Sequence, residues 1–425
     1  MTTRLSFALF LAALQIAPLA AASAETVAVT GVTAYTMESR VPLRNATIVM
    51  SDGLIAAVGT DAKVPSGARV VDGTGLVATP GFMNSASSLG LTEVDSVEST
   101  NDHSVDKGPL GAAFDVQFAI NGNSELIALA RADGLAWAIA APSGTSVAPF
   151  AGLGAALHLS VDEAVLQIPR VALFVETGGE SSSGTNGGSR SAQWLVLRQA
   201  LAEARDHRLR ARPGAPRDSS FSRQDIAAVK AVVDGDLPLV IGADRESDIR
   251  QAIQLVDDFG IRVIIKGATE AWRVADALAE RAIPAIVDPS VNLPLYFDQL
   301  HVRTDNAALL HDAGVLVSFK VSSVHTSLNA GFTLREVAGV AVRHGMPYHA
   351  ALAALTVDAA RTWGIDDRYG TLTAGKTADL VLWSRDPFEP SSTAVHVFVD
   401  GIEVTASTRQ DRLRDRYHPD RLPSP

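Results

Sequence analysis

Lys266 follows Val263-Ile264-Ile265 and Lys320 follows Val317-Ser318-Phe319, so two ammonium groups stand at the ends of apolar runs. A lysine so placed can hold an anionic ligand, take on a depressed pKa, or pair with a carboxylate. Asp244, Asp288 and Glu176 are the carboxylates that a purely structural pairing would use. A second set is His103 with Glu93, Asp95, Asp102 and Asp106, joined by the distant His325. Imidazole and carboxylate suit zinc-like ions, but without ligand spacing the same residues read as a solvated acidic loop with a surface histidine. Ser85, Ser87 and Ser88 lack the G-x-S-x-G setting of an activated serine. The other histidines (His158, His207, His301, His311, His344, His349, His396 and His418) are scattered, and are read as structural or exposed.

The rest of the chain limits these options. There is no cysteine, which excludes disulfides, thiolate ligands and a thiol nucleophile. A net charge of −11 disfavours nucleic acid and acidic lipid as partners. Arg4, an apolar run over 5–22 and Ala22-Ser23-Ala24 form a signal-peptide pattern, so residues 1–24 are expected to be removed. Gln15 and Pro18 interrupt that run short of the roughly 20 apolar residues a spanning helix needs, which argues against a stable membrane anchor. A periplasmic or secreted protein is the expectation.

The elements that must carry the lysines alternate. Helical spacing over 225–233, 247–259, 270–281 and 305–312 is followed each time by an apolar strand, at 238–241, 261–265, 283–287 and 315–319. Helices over 124–131 and 192–207 and a strand over 135–140 precede them. Strands so apolar are buried on both faces and parallel, and with the strand before Asn84 about seven of the eight strands of a (β/α)8 barrel are in sight. A doubly wound open sheet is the alternative, but no glycine-rich fingerprint supports a nucleotide. Both ends of the chain are short β-prone runs split by Asp52-Gly53 and Asp400-Gly401. The expected organisation is therefore a composite β-sandwich domain made of 25–78 and 369–408, a barrel over 79–368, and a charged tail over 409–425. The Gly/Ser-rich stretch 178–190 reads as a solvated loop or a lid.

Several separated motifs then point one way. They are Thr79-Pro80-Gly81-Phe82, Ala350-Ala351-Leu352-Ala353-Ala354-Leu355-Thr356, Ala359-Ala360-Arg361, Tyr369-Gly370-Thr371-Leu372, Ala374-Gly375-Lys376, Ala378-Asp379-Leu380-Val381-Leu382-Trp383 and Val399-Asp400-Gly401. Together they resemble the imidazolonepropionase-like and dihydroorotase-like members of the amidohydrolase superfamily, over nearly all of the chain after residue 24. The resemblance implies hydrolysis of carbon–nitrogen bonds by one or two divalent metals such as zinc. It also implies ligands after the first, fifth, sixth and eighth strands and a bridging group near the fourth. Those positions fall at Asn84 and Ala86, at Gly242, at Lys266 and at Ser322, none of them an imidazole or a carboxylate. Asp244, Arg245 and Glu176 complete the expected rim.

The resulting expectation is a divergent family member without a bound metal, a pseudoenzyme that holds a small molecule or a related amidohydrolase subunit at the barrel mouth, as a homo- or hetero-oligomer. The alternative is a working hydrolase of a cyclic amide or peptide-like substrate, with a relocated metal site built from His103 and His325.

Overall fold

The β-prone runs at the two ends of the chain meet in one sheet in the computed structural model, which describes residues 25–94, 96–161, 164–178, 189–206, 221–321, 330–404 and 409–418. The expectations for residues 1–24, Asp95, His207, Ser322 and His325, and for all but the ends of the Gly/Ser-rich stretch, lie outside these residues. β1 (Val27–Ala34), β2 (Leu43–Ser51) and β3 (Leu54–Gly59) form an antiparallel meander, with Asp52-Gly53 making the tight turn at positive φ. β4 (Arg69–Asp72) and β5 (Val77–Pro80) both run parallel to β1.

The chain then enters a second sheet through β6 (Phe82–Ser87). β7 (Ser104–Val105) and β9 (Gly144–Thr145) pair beside it, on either side of β8 (Leu135–Ala140) in sequence. β10 (Phe150–His158), β11 (Leu166–Glu176), β12 (Leu239–Ala243), β13 (Val263–Gly267), β14 (Ala285–Val287) and β15 (Val317–Phe319) complete it. The spatial order of its eight strands is β6-β8-β10-β11-β12-β13-β14-β15. β6 and β15 lie against each other, so the sheet is a nearly closed barrel.

One strand departs from the expected (β/α)8 pattern. β10 runs antiparallel to both β8 and β11, while every other neighbouring pair is parallel. Antiparallel neighbours need no crossover helix, and the connections 141–149 and 159–165 are correspondingly short. Composition explains why the strand was not foreseen. β10 reads FAGLGAALH, and glycine weakens strand propensity. The glycine is needed in place, because a side chain on Gly154 would come within 2.4 Å of the Phe174 ring that fills the barrel.

From β11 onward the expected units appear. Helices Arg223–Val233, Glu246–Phe259 and Asn306–Asp312 alternate with strands, Ser222 caps the first through Asp225 N–H at 3.0 Å, and Gly260 ends the second in the left-handed conformation. The expected 270–281 helix is instead a 3-10 turn, Ala271–Val274, followed by the helix Ala275–Glu280. No helix among the described residues is long and apolar enough to cross a membrane.

The chain returns to the first sheet as β16 (Leu380–Trp383), β17 (Ala394–Val399) and β18 (Ile402–Glu403). β16 pairs antiparallel with β5, so both ends of the chain share one eight-stranded hydrogen-bonded sheet. Trp383 stacks on Phe82 with centroids 5.2 Å apart, and its Nε1–H donates to Thr79 Oγ1 at 2.9 Å, which ties this sheet to the first barrel strand.

Candidate functional site

Side chains alternate along a strand, and burial identifies which set fills the barrel. Met83, Ile139, Phe174, Val240, Ile264 and Ile286 form one buried cluster, and Ser318 is the ladder partner of Ile286. Two residues further on, at the carboxyl ends of the parallel strands, the same side carries Glu176, Gly242, Lys266, Asp288 and Lys320. These residues form the floor of the barrel mouth.

Lys266 donates to Glu176 Oε1, and the two side chains are 18% and 22% exposed. A side chain on Gly242 would meet Glu176 Oε2 at 1.8 Å, so the carboxylate already fills the space above that glycine. Thr177 secures the strand end by donating its N–H and Oγ1–H to Gly242 O at 3.0 and 2.8 Å. Of the two sequence readings for Lys266, the structure places it in a carboxylate pair rather than in an open anion site.

Lys320 and Asp288 face a cleft of about 120 Å3 beside this pair. Asp244, Thr269, Gln299, Arg303 and the apolar side chains Val287, Val291, Leu295, Tyr296 and Val302 also line it. Loss of hydration pulls the Lys320 ammonium below the usual lysine range. Asp288 opposes that shift, Lys266 adds to it, and Asp244 and Glu176 oppose it more weakly. Three carboxylates stand against two ammonium groups here, so the mouth carries no surplus of positive charge.

Asp244 is fixed by Thr269 Oγ1 at 2.6 Å and Gln299 Nε2 at 3.1 Å. Behind it Glu270, 7% exposed, accepts from Glu246 N–H at 3.0 Å and meets His301 Nδ1 at 2.8 Å. Burial pushes the Glu270 carboxyl up, but those two contacts and Arg273 outweigh it and leave it below its ordinary value. Arg303 lies over one side of the Trp272 ring system at 4.9 Å and Arg273 also packs on it, at 4.7 Å.

The remaining expected residues fall elsewhere. Asn84 shares the side of Phe82, whose ring packs outside the barrel. It is 1% exposed, and its Oδ1 accepts from Ala86 N–H at 3.3 Å, so it does not reach the mouth floor. Ala86 is buried and apolar. Arg245 is exposed at the start of the helix Glu246–Phe259. His103 Nδ1 bonds Ser143 Oγ at 2.7 Å, and Glu93 accepts from Asn121 Nδ2 at 2.7 Å and Ser124 Oγ at 2.8 Å. Of the relocated metal set, His103 and Glu93 are thus engaged in local contacts, while Asp95 and His325 lie outside the described residues. Arg190, at the end of the Gly/Ser-rich stretch, pairs with Asp248 and Asp298.

One constellation escaped the sequence reading. His158, Asp379 and Asp400 bring three donor groups together at the other end of the barrel, under the shared sheet. His158 Nε2 meets Asp379 Oδ2 at 3.1 Å and Nδ1 meets Asp400 Oδ2 at 3.4 Å. The two carboxylates approach different nitrogens of the ring, and the group links the shared sheet to β10. Trp137 Nε1–H also donates to Asp379 Oδ2, at 3.1 Å, and Asp400 N–H to Oδ1, at 3.1 Å. The available signal was Asp379, inside the Ala378-Asp379-Leu380 motif but far from any histidine in sequence.

The mouth residues do not fit a zinc-like centre. An ammonium has no lone pair to offer, the space over Gly242 is taken by a carboxylate already paired, and no imidazole lines the described floor or cleft.

Residues 275–404 match the model of the amidohydrolase family. The chain is similar to the amidohydrolase TasK of Hapsidospora irregularis, 37% identical over 107 residues, which are 25% of this chain and 11% of that protein. It therefore spans about a tenth of that relative's length. The solved structure of an amidohydrolase from Thermotoga maritima MSB8 superposes with a TM-score of 0.80 at 25% identity, covering 89% of this chain and 99% of that one. A molinate hydrolase (TM-score 0.55, 18% identity, 90% and 95% covered) and a Xaa-Pro dipeptidase with bound methionine (0.56, 14%, 89% and 99%) share the fold.

Proposed function

We infer that this chain, which has the fold of the amidohydrolase superfamily and carries an amidohydrolase family segment over 275–404, holds a small molecule at its barrel mouth without metal-assisted hydrolysis. The observation that carries this reading is the Glu176–Lys266 pair. Where the resembling family keeps a bridging group and a metal-bound histidine, this chain has a carboxylate whose countercharge is an ammonium. The cation that would bind there is supplied by the protein itself. A metal-dependent hydrolase of a cyclic amide is the weaker reading, because His103 and Glu93 are engaged with Ser143, Asn121 and Ser124.

The ligand in this reading enters the cleft between Lys320 and the apolar wall of Val291, Leu295 and Val302. The exposed rim beyond it, with Leu293, Leu295, Phe297 and Leu300 at 69%, 73%, 88% and 58%, supports a contact with another subunit of the same fold. The small-residue pattern at Ala22-Ser23-Ala24 supports export to the periplasm or medium. Elemental analysis of the full chain purified without added metal is the test. The expected result is substoichiometric zinc, manganese, iron and nickel; about one tightly held equivalent of any of them would overturn the reading.

A further inference from the structure

We propose that the cleft takes a small monocationic amine, with its ammonium on Asp244 and a short hydrocarbon arm along Val291, Leu295 and Val302. The proposal rests on the reading of the mouth as a small-molecule site without metal, and names the class of molecule that it holds.

Charge selects the head group. Among the described residues the Glu176–Lys266 pair is balanced within itself. Arg303, which also lines the cleft, is held by Asp305 at 2.7 and 2.6 Å. Two carboxylates and one ammonium remain in the lining, Asp244, Asp288 and Lys320. Burial lowers the basicity of Lys320, and of the carboxylates that oppose this Asp288 acts most and Asp244 less. One negative charge is therefore in excess, and Asp244 is where it is met by neutral donors. Its Oδ1 accepts from Thr269 N–H at 3.3 Å and from Thr269 Oγ1–H at 2.6 Å, and its Oδ2 accepts from Gln299 Nε2–H at 3.1 Å. A carboxylate has about four acceptor sites, so room for one more donor is left on Oδ2. A charged donor makes the strongest bond there, whereas Asp244 and Asp288 together repel an anion.

Geometry selects the arm. Gln299, 8% exposed, accepts Leu295 N–H on its Oε1 at 3.2 Å, which turns its Nε2 towards Asp244. One buried amide thus ties the anchoring carboxylate to the apolar wall and fixes the distance between head and arm. Tyr296 adds an aromatic ring to that wall, a surface that attracts an ammonium. The cleft, about 120 Å3, is close in size to the ~150 Å3 of a cavity that takes benzene, so a ligand of roughly four to six non-hydrogen atoms fits. A second charge on the ligand would lie against Val291, Leu295 and Val302 and lose its water without gaining a partner.

The test titrates n-butylammonium into the full natural chain at neutral pH by calorimetry, beside n-butanol, butyrate and methylammonium. The expected result is one saturable site per chain for n-butylammonium. Butanol and butyrate, which lack the positive head, and methylammonium, which lacks the arm, should each bind about tenfold more weakly or worse. Asp244→Asn should weaken n-butylammonium by about tenfold or more. Leu295→Lys, at a side chain 73% exposed, puts a positive charge on the wall and should do the same, so the test stands even where D244N does not fold. Butanol, butyrate or methylammonium binding as tightly as n-butylammonium overturns the proposal, as does the lack of a saturable site or an unchanged affinity in L295K or in folded D244N. Preference for butanol or butyrate in metal-free protein defeats the choice of ligand alone, whereas a stoichiometric metal in the purified chain defeats the underlying reading.

Discussion

Lys266→Met tests most directly the proposal that an ammonium stands at the mouth in place of a metal. In the folded chain the substitution leaves the Glu176 carboxylate over Gly242 with no cation in contact, at a position where the two side chains are 18% and 22% exposed. Breaking an exposed pair costs about 0–1 kcal/mol, and breaking a fully buried one about 3–5 kcal/mol. This pair lies between those limits, and a loss of about 2–3 kcal/mol is expected. With an unfolding entropy of about 2.1 cal/mol/K per residue, a chain of 425 residues loses about 1 °C per kcal/mol. K266M should then melt about 2–3 °C below the natural chain by calorimetry. Glu176→Gln in the K266M background removes the unpaired charge and should restore about half of the loss, a coupling of about 1–2 kcal/mol in a double-mutant cycle. If K266M stays within about 0.5 kcal/mol of the natural chain and the two substitutions simply add, the pair is a surface contact and the argument from it collapses.

Three further outcomes follow from other parts of the fold. Asp379→Asn should cost about 3 kcal/mol, because it removes a carboxylate, 8% exposed, from the His158 ring; hydrogen exchange should quicken in 380–404 while the barrel strands keep their protection. The Glu270 carboxyl lies below its ordinary 4.5 in the folded chain, so its stabilisation is complete above that pH and is lost as pH falls through the folded value. Glu270→Gln should therefore melt lower at neutral pH and show a flatter fall in melting temperature below pH 4.5, and an unchanged acid limb would refute this. Phe297→Glu, at a residue 88% exposed on the apolar rim, should convert a dimer into a monomer in size-exclusion with light scattering; a natural chain already monomeric at that concentration rules out the rim contact between copies of this chain.

The parts of the fold visible in the sequence are those where one local pattern suffices. The helix Glu246–Phe259 shows its apolar face at Ile249, Ala252, Ile253 and Val256 and stops at Gly260, and β12 to β15 are short runs bounded by turns. β10 is hidden because its pairing is set by tertiary fit rather than propensity. Gly152 and Gly154 look like breakers until Phe114 and Phe174 are seen to occupy the space their missing side chains leave.

The mouth residues were legible in a narrower sense. The structural-pairing reading of the two lysines names Glu176 among three possible carboxylates. The choice among them depended on a register that no local rule supplies, with Glu176 opposite Gly242 and Gly242 opposite Lys266 along β11, β12 and β13. That register makes a glycine necessary between the two charged groups. Any larger residue at 242 would push the carboxylate off the ammonium. The same geometry separates the two lysines by place, since the one opposite Gly242 pairs with Glu176 and the other lines the cleft together with Asp288.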